Sequence, residues 1–165
     1  MEPPAATRRF SAEADTLAFA QDLATRDGLR NALIELQGDL GAGKTTLVRH
    51  LLRALGVTGP IKSPTYAVVE PHQAAGIARA DGTLQGPAFP VWHFDFYRFL
   101  DSREWEDAGL RELFAAPGLK LVEWPEQAHG VLPPPDLRIA LEVLPDEARA
   151  VRLQAFSPLG EALLA

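Results

Sequence analysis

The chain has 165 residues, of which 47% are hydrophobic and 23% charged, the balance of one globular domain (1–165) able to bury a core. It holds no cysteine, which excludes disulfides, zinc–thiolate and iron–sulfur sites and a cysteine nucleophile. Its formal net charge of −6 argues against a main task of gripping bare nucleic acid, because phosphate contacts call for a basic surface.

The N-terminus MEPPAATRRF has no apolar signal core and no apolar run approaches the length of a membrane span, so a cytoplasmic location is expected. Residues 11–26 place Leu17, Ala20, Leu23 and Ala24 on one helical face, with Ser11 in the N-cap position. The apolar run 31–37, NALIELQ, bounded by Gly28 and Gly38, reads as a buried strand. Residues 44–55 place Leu47, Leu51 and Leu55 at helical spacing, with Gly56 as the stop. SPTYAVVEPH (63–72) opens as a turn and becomes a strand, and 73–90, rich in Ala and Gly, reads as a long mobile hairpin connection.

FPVWHFDFYRF (89–99) predicts an aromatic strand, and 101–115 a helix with Asp101 and Glu104 in a capping box. LKLVEWP (119–125) predicts a second buried strand ended by Pro125. After the rigid turn LPPPD (132–136), LRIALEVL and AVRLQAF flank PDEA as an antiparallel pair. The predicted fold class is therefore α/β: a mixed, mainly parallel central sheet flanked by helices, with a C-terminal antiparallel β pair.

Gly38, Gly43, Lys44 and Thr45 fit G-x-x-x-x-G-K-[ST], the phosphate-binding loop, between a predicted strand and a predicted helix. Such a loop wraps backbone N–H groups around phosphate oxygens, in dihedrals that a Cβ resists. The helix that follows adds its unpaired N–H groups and its dipole. Lys44 is expected to reach the β- and γ-phosphates, and Thr45 to offer its hydroxyl to a bridging magnesium ion. The plainer reading, a glycine turn beside a surface lysine, leaves that placement unexplained.

A nucleotide site also needs a carboxylate at a neighbouring strand end, for the metal and for water. Asp95 ends VWHFD and Glu123 ends LKLVE, both at the expected carboxyl edge of a parallel sheet. Position alone leaves open which acid meets the metal. His93, two residues before Asp95 on the same strand face, reads as a packed core residue. His50 and Arg53 read as solvated on the loop helix, and Trp92, Trp105 and Trp124 as core or interface aromatics. Ser63, Pro64 and Thr65 form either a γ-phosphate switch or a hydroxyl-stabilised turn that launches a strand.

GDLGAGKTT, KSPTY, HFDFYR and LVEWPEQ…GVLPPPD, in this order, resemble the TsaE (YjeE) family over about Ile34 to Arg152. The resemblance implies a P-loop ATPase with a seven-stranded mixed sheet, needed for synthesis of threonylcarbamoyladenosine in tRNA. It implies Mg2+ with ATP as the cofactor set and TsaD and TsaB as partners, reset by ATP hydrolysis. TsaE-like proteins do not transfer the carbamoyl group themselves, so tRNA is met only through the complex, in keeping with the acidic composition. Carried over by position, Gly41, Ala42, Gly43, Lys44, Thr45 and Thr46 bind the ATP phosphates, and Thr45 and Glu123 ligate magnesium. Asp95 becomes the Walker-B-like acid, Ser63, Pro64, Thr65 and Tyr66 the switch, and Arg149, Glu13 and Thr16 neighbours of the nucleotide. The connection 73–90 departs from the family by being longer and richer in Ala and Gly, and Phe96 stands where leucine is commoner.

A regulatory GTPase would carry an Asn/Thr-Lys-x-Asp segment and an Asp-x-x-Gly, and neither occurs. A small-molecule kinase would want an arginine-bearing lid, and 73–90 has only Arg79. A nucleotide-switched binding module that does not hydrolyse would not need both Asp95 and Glu123.

Overall fold

The computed structural model describes residues 3–61, 64, 68–99, 103, 105 and 109–165. In chain order these form β1 (Ala5–Phe10), α1 (Glu13–Leu23), β2 (Leu33–Gln37), α2 (Lys44–Ala54), β3 (Val69–Ala74), β4 (Ile77–Ala78) and β5 (Leu84–Gln85). There follow β6 (Phe89–Asp95), α3 (Leu110–Ala115), β7 (Leu119–Glu123), β8 (Leu137–Val143), β9 (Arg149–Ala155) and α4 (Pro158–Leu164).

Seven strands make one mixed sheet in the order β1-β9-β8-β2-β7-β6-β3. Its centre, β8, β2, β7 and β6, is parallel throughout. The flanks are antiparallel, through β9 and β1 at one side and β3 at the other. The predicted terminal pair thus forms and is also built into the main sheet, because Ile34 to Gln37 pair with Leu137 to Ala140. Pro71 is tolerated inside β3 because that strand is an edge, where a missing N–H need leave no partner wanting.

Alternation sorts the core into two clusters. Ile34, Leu36, Val91, Leu119 and Leu121 meet α1 and α2 on one face, with Leu47, Leu51 and Leu52. Leu33, Phe94 and Val122 meet Trp105 and Leu110 in a more aromatic cluster on the other. The central strands β2 and β7 are buried on both faces, and the charges they carry before their carboxyl ends are partnered: Glu35 accepts from Arg138 Nε (3.1 Å) and Lys120 donates to Ala116 O.

Several expectations are corrected. Ser11 does not cap α1: Ala12 is the N-cap, and Asp15 reaches back to accept from the N–H groups of Ser11 (2.7 Å) and Ala12 (3.1 Å). The described part of the 101–115 helix is α3 together with Arg103 and Trp105, and α3 starts afresh after Gly109 at φ 66°. Asp101 and Glu104 lie outside the described residues. The connection 73–90 is no loose loop: it folds as the β4–β5 hairpin and buries Ala74, Ile77 and Ala78. Its main chain is tied down by bonds from Ala75 N to Leu55 O (2.8 Å) and Ala78 N to Ala24 O (3.0 Å). Two elements had no counterpart in the sequence reading, the edge strand β1 and the short helix α4, which Ser157 caps through Gly160 N (3.0 Å).

Candidate functional site

β2 ends at Gln37, and the chain turns through 38–43 before α2 begins at Lys44. Gly38, Gly41 and Gly43 hold φ of 152°, 82° and 107°, which residues with a Cβ resist. At Gly38 a Cβ would also lie 2.6 Å from the Leu141 carbonyl oxygen, so β8 as well as torsion demands glycine. Gly43 is the left-handed N-cap of α2, whose first N–H groups have no partner inside the helix. The result is a backbone anion seat at a helix N-terminus. Arg149 of β9 holds the loop's carbonyls from outside: its Nε donates to Ala42 O (3.0 Å) and its Nη2 to Gly41 O (3.4 Å), while its Nη1 is anchored on Glu147 O beside its own strand.

Lys44 is buried, donates from Nζ to Gly38 O and sits 3.7 Å from the centroid of the Trp124 ring. Burial pulls its pKa below the ordinary lysine value, while Glu123, Glu126, Asp95 and Asp39 push it back up. The ammonium is therefore parked on a carbonyl and a π face, each a weaker partner than an anion. Trp124 reaches this place because its backbone turns to φ 56° straight after Glu123, and Tyr97 packs on its ring at 4.9 Å.

Asp95 and Glu123 are register partners at the carboxyl ends of β6 and β7. Glu123 is buried: Thr45 Oγ1 donates to its Oε1 at 3.0 Å, and His93 Nε2 lies 2.6 Å from its Oε2. Asp95 is half-buried and accepts from Tyr97 N at 2.9 Å. Burial raises its pKa and the Glu123 charge adds to that, against the Tyr97 N–H, His93 and Lys44. Among the described residues no three of His, Asp or Glu converge as a metal cage. The donors at hand, the Thr45 hydroxyl and the Glu123 carboxylate, are hard oxygens, as magnesium requires when phosphates and water complete its shell.

The loop separates two clefts. One, of about 600 Å³, is lined by Lys44, Thr45, Asp95, Glu123, Trp124 and Pro64. The other, of about 260 Å³, lies against α1 and is lined by Glu13, Thr16, Gly43 and Thr46. Ala42, Gly43, Thr46 and Arg149 border both. The structure thus brings Gly41 to Thr46, Asp95 and Glu123 together on one side, and Glu13 and Thr16 on the other. Of the switch residues, Pro64 is buried at the first cleft, whereas Ser63, Thr65 and Tyr66 lie outside the described residues.

His50 and Arg53 are not simply solvated: His50 Nε2 pairs with Glu13 Oε1 (3.0 Å), and Arg53 donates to Val57 O (3.0 Å). Neither the bond between His93 and Glu123 nor the packing of Lys44 on Trp124 follows from the local sequence pattern. The shared face of His93 and Asp95 was the available signal. Leu40, 67% exposed at the loop tip, carried none.

The family model described as Threonylcarbamoyl adenosine biosynthesis protein TsaE matches residues 10–151. The chain belongs to the TsaE family. A Haemophilus influenzae tRNA threonylcarbamoyladenosine biosynthesis protein TsaE is 36% identical over 146 residues, covering 88% of this chain and 84% of the relative. The Bacillus subtilis protein of the same name is 36% identical over 123 residues, covering 74% and 69%. A crystal structure of Bacillus subtilis YdiB superposes with a TM-score of 0.75 at 27% identity, over 99% of this chain and 94% of that one. TsaE membership places the chain in tRNA threonylcarbamoyladenosine biosynthesis, on the P-loop NTPase fold the sequence predicted. No helix among the described residues is long and apolar enough to cross a membrane.

Proposed function

We propose that the chain binds ATP with magnesium at 38–46, hydrolyses it slowly, and so resets a TsaD–TsaB complex between rounds of tRNA modification. The observation that carries this is the buried Glu123 carboxylate, held by Thr45 at the loop mouth and set in register beside Asp95.

In this reading the loop N–H groups and Lys44 hold the phosphates, and Lys44 leaves Gly38 O and Trp124 for the β- and γ-phosphate oxygens. Thr45 and Glu123 hold magnesium, which when bound neutralises charge building on the phosphates. Asp95 orients the attacking water from the neighbouring strand end, and its raised pKa suits a group that trades hydrogen bonds with water. Glu13 and Thr16 border the cleft left for the nucleoside, and Arg149 stiffens the loop between. Ser63, Pro64, Thr65 and Tyr66 act as the switch that senses the γ-phosphate.

The kinase alternative loses its lid, since Arg79 is spent within its own hairpin on Thr83 Oγ1 (3.3 Å) and Leu84 O (3.2 Å). The test is the ATP hydrolysis rate of the pure chain, alone and with TsaD, TsaB and tRNA. A slow basal rate strongly raised by the partners is expected. A rate unchanged by them would contradict the proposed role.

A further inference from the structure

We infer that His93 is a positioning residue for Glu123, fixing its carboxylate so that the oxygen beside Thr45 stays turned toward the metal seat. This rests on the ATP–magnesium reading proposed above and deepens it.

His93 Nε2 lies 2.6 Å from Glu123 Oε2, with the two residues 1% and 2% exposed. Two acceptors do not approach that closely, so Nε2 carries the hydrogen and donates it. Glu123 is thereby gripped from two sides, by His93 at Oε2 and by the Thr45 hydroxyl, which lies 3.0 Å from Oε1 and 3.3 Å from Oε2. A single hydroxyl proton shared between the two oxygens does not choose between them, and the shorter His93 bond claims Oε2 and so leaves Oε1 to Thr45 and the metal seat.

The cost of keeping a histidine here points the same way. Among the described residues His93 Nδ1 is buried without a hydrogen-bond partner, and so is His72 Nε2 on the adjoining strand β3. An unsatisfied buried polar atom is costly, having given up water without gaining a partner. The neighbours along β6, Val91 and Phe94, are fully buried and apolar, so a purely structural plug at this position would do better as Phe or Leu. What a hydrocarbon would lack is the hydrogen given to Glu123. Partners that orient a metal ligand in this way are worth about 10–100-fold in metal affinity.

The test compares His93→Gln, His93→Asn and His93→Phe by calorimetry with a non-hydrolysable ATP analogue, first in EDTA and then across a magnesium chloride series. The Gln amide N–H extends to where Nε2 stands, the Asn amide stops near Nδ1, and Phe fills the space with no donor. His93→Phe and His93→Asn are expected to bind the analogue in EDTA as the unaltered chain does. Both should need about 10–100-fold more magnesium to reach the tighter magnesium-bound affinity. His93→Gln should recover most of that loss, and the Gln–Asn contrast decides the matter should His93→Phe not fold. A magnesium requirement unchanged in all variants would overturn the inference. So would equal losses in Gln and Asn, or lowered melting temperatures with no change in magnesium response. Failure of the unaltered chain to bind the analogue at all would instead count against the nucleotide reading itself.

Discussion

The parallel centre of the sheet and its antiparallel wing divide the labour of one site. β2 and β7 are buried on both faces and end in the groups with chemistry, the loop that leads to Lys44 and Thr45 and the acid Glu123, with Asp95 beside it on β6. On the wing side, β8, the last parallel strand, and the antiparallel β9 bury one face and leave the other half-open, β1 buries only Phe10, and what these strands send to the site is support. Arg149 holds the loop carbonyls, and Leu141 sets the space that only glycine fits at Gly38. Burial in the centre makes charges costly and therefore responsive to a ligand. The wing is wet enough for its arginine to act as a clamp rather than as a charge in need of one.

If that division is right, changes in the centre should abolish function and changes in the wing should weaken it. Lys44→Ala should weaken ATP binding by about 100-fold or more, since a charge-assisted bond to phosphate contributes about 1.5–3 kcal/mol and Lys44 would make more than one in the proposed site. Calorimetry checks this, and normal binding by the variant would break the comparison. Glu123→Ala should lose about 100-fold in magnesium-dependent turnover while keeping much of its nucleotide affinity in EDTA. Equal losses in rate and affinity would make Glu123 structural.

In the wing, Arg149→Met should weaken ATP binding only roughly tenfold, the value of the two loop bonds it removes. Arg149→Lys should recover little of it, because an ammonium cannot span both carbonyls. Full rescue by lysine would show a direct phosphate contact instead.

The smallest effect is in stability. Burial raises the pKa of Asp95, so the ligand-free fold penalises its charge. That penalty is absent below the ordinary value of 3.8 and complete once pH has risen through the raised one. Asp95→Asn should therefore melt higher than the unaltered chain at neutral pH, with the advantage shrinking as pH falls toward about 4. Melting curves across pH check this, and an advantage that grew on acidification would reverse the assignment.

What was legible in the sequence was what local physics dictates. The glycines of the loop are fixed by their own torsions, and the two acids by the apolar runs they end. β1 was hidden because it is an exposed edge held by main-chain pairing to β9, with Phe10 its one buried residue. The Ala and Gly of 73–90 suggested slack and mean the opposite. A Cβ on Gly76 would stand 2.4 Å from Gln85 O, and one on Gly56 would stand 2.8 Å from the Ala75 Cβ, so small residues are there for close packing. α4 is too short for periodicity to show, although Ser157-Pro158 is a proper helix start. The role of His93 could not be read because its partner lies thirty residues on, in another strand.

The most direct test is a titration of ATP with magnesium into the pure, folded chain, followed by its heat. The account predicts a saturable signal at one nucleotide per chain that vanishes with Lys44→Ala. A flat trace from the unaltered, folded protein would contradict it.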